Sequence, residues 1–152
     1  TAGRFHELID DPKFADADTN GVSRVLLCSG KIYHELAARR EENGRDDTAI
    51  IRVEQLYPFH TELARSLLKR YPASASIAWV QEEPRNMGAF LHIADVLREE
   101  LGIESIEYIG RDTAASPAPG SKKKDRAQQK AVIDHAIGEA AKPAPEKARV
   151  AG

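Results

Sequence analysis

Apolar and polar positions alternate between two periods along this chain. Val25, Leu26 and Leu27 form a continuous apolar run, the mark of a strand covered on both faces, and Arg24 to Cys28 reads as the first strand. Ile32, Leu36 and Ala37 then recur at helical spacing, with Gly44 as a stop. Thr48 to Gln55 reads as the second strand, apolar at Ala49, Ile50 and Ile51. Leu63, Ala64, Leu67, Leu68 and Tyr71 share one helical face, Thr61 is the expected N-cap, and Pro72 ends that helix. Ile77 to Val80 is a short apolar strand that Gln81, Glu82 and Glu83 follow as a charged exit, with Pro84 stopping it. Arg85, Asn86 and Met87 lead into a helix carrying Phe90, Ala94, Leu97 and Leu101, closed by Gly102. Ile103 to Ile109 alternates as a last strand, and Val132, Ile133, Ala136 and Ile137 belong to a final helix.

Strand and helix in alternation predict an α/β fold. The expected architecture is a three-layer, mainly parallel doubly wound sheet with helices on both faces. Residues 1–23 form a lead-in, residues 24–140 the α/β domain and residues 141–152 a disordered tail. In the lead-in, Phe5, Leu8 and Ile9 are expected to pack as a short helical turn. The Asp-rich stretch from Asp10 to Asn20 reads as a solvated connector. Gly110 to Gly120, with two prolines, reads as a loop.

The net charge of -2 argues against general nucleic-acid binding. Its distribution is uneven, since Ser121 to Gly152 holds eight Lys and Arg against four Asp and Glu. One cysteine, Cys28, excludes an internal disulfide framework and suits a reducing cytoplasm. No apolar run is long enough to span a membrane, and no signal-peptide pattern is present. The chain begins at Thr1, which suits a fragment or a processed product.

Candidate chemistry gathers where strands end. Ser29-Gly30-Lys31 opens a helix after the first strand, and Gln81 and Arg85 flank the exit of the third. In a doubly wound sheet these ends meet where strand order reverses, so Ser29, Lys31, Gln81 and Arg85 form an expected anionic-ligand site. Glu82 and Glu83 oppose a phosphate there unless they turn away or pair with Arg85. Arg52 and Glu54 share one face of a strand that is otherwise apolar. They are expected to pair with each other or with another polypeptide, because an isolated charge on a covered strand is costly. The five histidines lack metal-ligand spacing, and no phosphate loop or GxGxxG occurs. Cys28 has no pairing base, and Lys122 to Lys124 reads as a solvated helix start. No nucleophile, base and oxyanion set is present, so no catalytic or metal-binding residue is assigned.

Four longer motifs carry a resemblance. They are Val25-Leu26-Leu27-Cys28-Ser29-Gly30-Lys31-Ile32-Tyr33, Ile51-Arg52-Val53-Glu54-Gln55-Leu56-Tyr57-Pro58-Phe59, Trp79-Val80-Gln81-Glu82-Glu83-Pro84 with Asn86 and Gly88, and Gly110-Arg111 with Ala115-Ser116-Pro117-Ala118 and Gly120. In this order and spacing, supported by Gln128-Gln129, they resemble the C-terminal domain of the thiamine-diphosphate-dependent 2-oxoglutarate dehydrogenase component, from about Gly3 to Gly138. The resemblance implies a transketolase-like C-terminal fold in a subunit that decarboxylates 2-oxoglutarate and passes the succinyl group to a lipoyl arm in the citric acid cycle. Thiamine diphosphate and magnesium would then be bound outside this chain. The implied partners are the preceding catalytic domains, a second copy in a homodimer and the dihydrolipoyl succinyltransferase component.

The resemblance also implies, from its actinobacterial members, an acetyl-CoA effector site whose motif positions Lys31 and Gln81 match, with AMP as the other effector to test. Lys123-Lys124-Asp125 departs from relatives that often carry a histidine there, and the tail after Gly138 departs from the family's usual end. Two readings from other classes stay open. One is a stand-alone doubly wound nucleotide-binding module without catalysis. The other is a phosphoacceptor receiver domain, which would need an acidic pair where this chain has Cys28-Ser29-Gly30.

Overall fold

The computed structural model describes residues 4–116 and 120–141. Pro117 and Ala118 of the last motif and the tail from Lys142 lie outside the described residues. Five strands and four helices follow in the order β1 (Leu8–Ile9), β2 (Arg24–Cys28), α1 (Ile32–Glu42), β3 (Thr48–Val53), α2 (Thr61–Leu68), β4 (Ser76–Pro84), α3 (Phe90–Leu101), β5 (Ile106–Arg111) and α4 (Lys122–Ile137). They form one sheet in the order β1-β3-β2-β4-β5, parallel except for β1. The expected mainly parallel α/β architecture is therefore observed.

The topology explains the layers. Chain connections between parallel strands are right-handed, so a step to one side of β2 and a step to the other place their helices on opposite faces. The step from β2 to β3 carries α1, and the steps from β3 to β4 and β4 to β5 carry α2 and α3 in the opposite direction. Accordingly one core joins Val25, Leu27, Ile51 and Trp79 to Phe90, Ile93 and Leu97 of α3 and Ala64 of α2. The second joins Leu26, Ile50, Ala78, Val80 and Ile109 to Ile32 and Leu36 of α1 and Val132, Ile133 and Ile137 of α4. Burying both faces is what makes the inner strands continuously apolar. No helix among the described residues is long and apolar enough to cross a membrane.

The lead-in departs from expectation. Leu8–Ile9 is not a helical turn but an antiparallel edge strand, with Leu8 opposite Val53 and Ile9 opposite Arg52. Asp11 is not in a solvated connector; it is fully buried. Its Oδ2 accepts the Ile50 backbone N–H at 2.7 Å, and its Oδ1 accepts that of Lys13 at 3.0 Å, capping a 3-10 turn at Pro12–Phe14. Both guanidinium nitrogens of the buried Arg40 donate to the same carboxylate, and Arg40 also donates to the Thr48 carbonyl at 3.1 Å. A short β1 leaves the edge of β3 open at Ile50, and Asp11 closes it. Asp10 is likewise held, accepting the Tyr71 hydroxyl at 2.6 Å and pairing with Arg70.

Element ends differ elsewhere for local reasons. His60, not Thr61, caps α2, its Nδ1 accepting the Leu63 N–H at 3.1 Å. That helix stops at Leu68, before Pro72, and Tyr71 packs edge-on against Phe14. β3 ends at Val53, and Glu54 and Gln55 instead donate their N–H groups to the Glu7 carbonyl. β5 begins at Ile106 and runs into Arg111, inside the expected loop.

Candidate functional site

Because β2 lies between β3 and β4, the chain leaves its end in one direction and returns on the other side. This opens the crevice that doubly wound sheets use for ligands. Cys28 pairs with Val80, so the ends of β2 and β4 lie side by side as expected. After Cys28 the chain turns through Ser29 and Gly30, whose φ of 79° is strained for any other residue. Lys31 is the N-cap of α1 and makes no side-chain capping bond; Ser29 does not cap the helix either. The Tyr33 and His34 N–H groups turn back to the Gly30 and Lys31 carbonyls, at 3.3 and 3.1 Å, so what the crevice meets is the positive end of the helix dipole.

β4 does not stop at Val80. It continues through Gln81, Glu82 and Glu83 to Pro84 with a shift in register against β5, and Pro84 pairs with Arg111. The pleat sends successive side chains to opposite faces. Glu82 points toward α1 and α4, where Lys31 Nζ lies 3.6 Å from its Oε1 and Gln129 Nε2 donates to the same oxygen at 3.0 Å. Gln129 Nε2 also lies 3.3 Å from Glu35 Oε1, and Arg111 pairs with Asp125 at 2.7 Å. These side chains border a groove of about 640 Å³ between α1 and α4. Lys31 is 81% exposed at its mouth. Acidic and basic groups are mixed along it.

Gln81 points the other way. It is buried, and its Oε1 accepts from Trp79 Nε1 at 2.8 Å and from the Phe90 N–H at 3.1 Å. Its Nε2 donates to the carbonyls of Glu83 and Pro84, both at 3.1 Å. The amide is fully occupied, tying strand, turn and helix start together. Gly88 lies against it, leaving no room for a side chain. Arg85 stands 4.9 Å from the Phe90 ring and 5.2 Å from the Tyr108 ring, on the same face as Gln81. The expected four-residue site does not form as one cluster. Ser29 and Lys31 lie on the α1 side, Gln81 and Arg85 on the α3 side, and the pleat of β4 is the reason. Glu82, Gln129, Glu35 and Arg111 complete the Lys31 groove instead. Glu82, Arg111 and Gln129 stand in the motifs read from the sequence; Glu35 does not.

Arg52 and Glu54 pair with each other across 3.1 Å, each 28% exposed. The Arg52 guanidinium also lies 4.7 Å from the Tyr33 ring. Cys28 is buried beneath this edge, and desolvation pushes its thiol up to about 12, so it is no nucleophile. Among the described residues no group of three His, Cys, Asp or Glu side chains is placed to hold a metal ion.

The family model described as 2-oxoglutarate dehydrogenase C-terminal matches residues 1–137. The chain belongs to this family. Among its relatives, the 2-oxoglutarate dehydrogenase E1 component of Rickettsia prowazekii (strain Madrid E) is 45% identical over 126 residues, covering 80% of this chain and 13% of the relative. That of Cupriavidus necator is 39% identical over 136 residues, covering 89% and 14%. The multifunctional 2-oxoglutarate metabolism enzyme of Mycolicibacterium vanbaalenii is 39% identical over 144 residues, covering 91% and 11%. The chain thus spans about an eighth of the curated relatives it matches. A split-gene transketolase described as an inactive β4 tetramer has the same fold, with a TM-score of 0.58 at 15% identity, covering 92% of this chain and 45% of that one. The β2 turn, the Arg52–Glu54 pair and the β4 exit all fall inside the family match.

Proposed function

We propose that this chain works as the C-terminal structural domain of a 2-oxoglutarate dehydrogenase E1 component, completing the subunit and its homodimer while decarboxylation and succinyl transfer take place in the preceding catalytic domains. The observation that carries this reading is the family match across residues 1–137. No group of three His, Cys, Asp or Glu side chains among the described residues offers a magnesium–diphosphate site. On this reading thiamine diphosphate and magnesium are bound in the rest of the subunit, which hands its product to a dihydrolipoyl succinyltransferase. This reading places the chain in the cytoplasm. Arg52 and Glu54 serve as contact positions toward a preceding domain or the second subunit.

The same reading includes an effector role, now centred on the groove beside Ser29 and Lys31. The exposed Lys31 ammonium at the N-terminus of α1 supports an anionic ligand such as acetyl-CoA or AMP. Gln81 and Arg85 contribute by holding the end of β4 in place.

Two experiments test these statements. Calorimetry of the 152-residue chain with thiamine diphosphate and magnesium should show no binding; micromolar affinity would sink the assignment of the cofactor to the rest of the subunit. Titration of the intact subunit with acetyl-CoA and with AMP should show weaker binding of one of them after Lys31→Ala. Equal affinity in both proteins, or no binding in either, removes the effector role.

A further inference from the structure

The exposed large apolar side chains are not scattered. Among the described residues they are Phe5, Tyr57, Met87 and Leu91, exposed by 62%, 84%, 39% and 59%. All four lie at the carboxyl edge of the sheet, and Tyr57, Met87 and Leu91 are on the side of α3. Tyr57 follows the end of β3, and Met87 and Leu91 flank the start of α3 after the end of β4. Phe5 reaches the same edge because β1 runs antiparallel to β3 and the Glu7 carbonyl accepts the Glu54 and Gln55 N–H groups.

The patch is held in place. His92 Nε2 lies 2.9 Å from the Leu56 carbonyl, and the His92 and Tyr57 rings are 6.1 Å apart. Gln55 Nε2 donates to the Pro58 carbonyl at 2.7 Å, fixing the turn that presents Tyr57. Aromatic and long aliphatic side chains presented on a fixed scaffold are the composition of a protein interface, not of a solvated surface.

We infer that this edge is the surface on which the domain docks against the catalytic part of the E1 component, with Tyr57 and Leu91 entering apolar pockets there. The inference rests on the function proposed above and names the contact surface it requires. Two observations select this occupant. The relatives are about eight times longer than the matched region, so most of each lies outside it. The antiparallel β1 also sets Phe5 at this edge. The opposite edge has an apolar groove between Leu68, Pro72, Ile77 and Ile103, but no large apolar side chain stands exposed there.

Site-specific photo-crosslinking in the intact subunit decides it. A benzophenone amino acid is placed at Tyr57, at Leu91 and, as the opposite-edge control, at the exposed Glu104. Positions 57 and 91 are expected to crosslink to catalytic-region peptides, and position 104 not to. Crosslinks from 57 and 91 to a second copy of the C-terminal region, crosslinks only from 104, or none at all would overturn the inference. Decarboxylation of 2-oxoglutarate by the unmodified subunit is measured separately. Its loss would strike the functional reading, whereas an active subunit without the crosslinks would strike only the surface.

Discussion

Replacing Asp11 by Ala is the most searching test of how this fold is held. Asp11 is fully buried and Arg40 is 4% exposed, so neither charge is screened by water. The substitution leaves the Arg40 guanidinium with the Thr48 carbonyl as its remaining charge-assisted hydrogen bond, at 3.1 Å. It also removes the acceptors of the Ile50 and Lys13 N–H groups. Breaking a buried pair by removing one partner costs about 3–5 kcal/mol. An orphaned buried N–H costs roughly 1–3 kcal/mol more, with incomplete additivity. A loss of about 4–6 kcal/mol is therefore expected, a large share of the roughly 5–15 kcal/mol that stabilises a domain.

Urea unfolding followed by fluorescence of the single tryptophan, Trp79, measures it directly. The midpoint should fall while the slope stays constant. The double variant Asp11→Leu with Arg40→Met should be less destabilised than Asp11→Ala alone, because no unpaired charge stays buried. A loss below about 1 kcal/mol for Asp11→Ala, the range of an exposed ion pair, would refute the buried-pair reasoning.

Gly88→Ala should destabilise the chain by about 1–3 kcal/mol, because the added methyl meets a Gln81 amide that its four hydrogen bonds prevent from moving. A shift in Trp79 emission would accompany the loss, and an unchanged midpoint and spectrum would show that the amide is free to move. Cys28 should resist alkylation at pH 8, since its thiol titrates near 12 and is buried. Because burial raises this value above the unfolded one of about 8.5, stability from the neutral thiol is full below pH 8.5 and declines as pH rises toward 12. Labelling by iodoacetamide at pH 8 should therefore become fast only in denaturant; rapid labelling of the native chain would contradict the burial.

Periodicity alone was enough for the layered architecture, since a parallel strand covered on both faces must be continuously apolar, as Val25 to Leu27 and Ala49 to Ile51 are. The nearness of the β2 and β4 ends was legible as well, because a doubly wound topology reverses strand order there. Three things depended on tertiary structure. Asp11 has the residue type of a solvated turn, and only the short β1, which leaves Ile50 without a partner on the outer side of β3, turns it into a core residue. Gln81 and Glu82 are adjacent polar residues in the sequence. Their opposite fates, one amide locked inside and one carboxylate in the groove, follow from a β4 that runs on past Val80 and so applies its pleat to both. The clustering of Phe5, Tyr57, Met87 and Leu91 at one edge joins residues up to 86 positions apart in the chain. Local pattern carries no information about that, because strand pairing alone decides which turns share an edge.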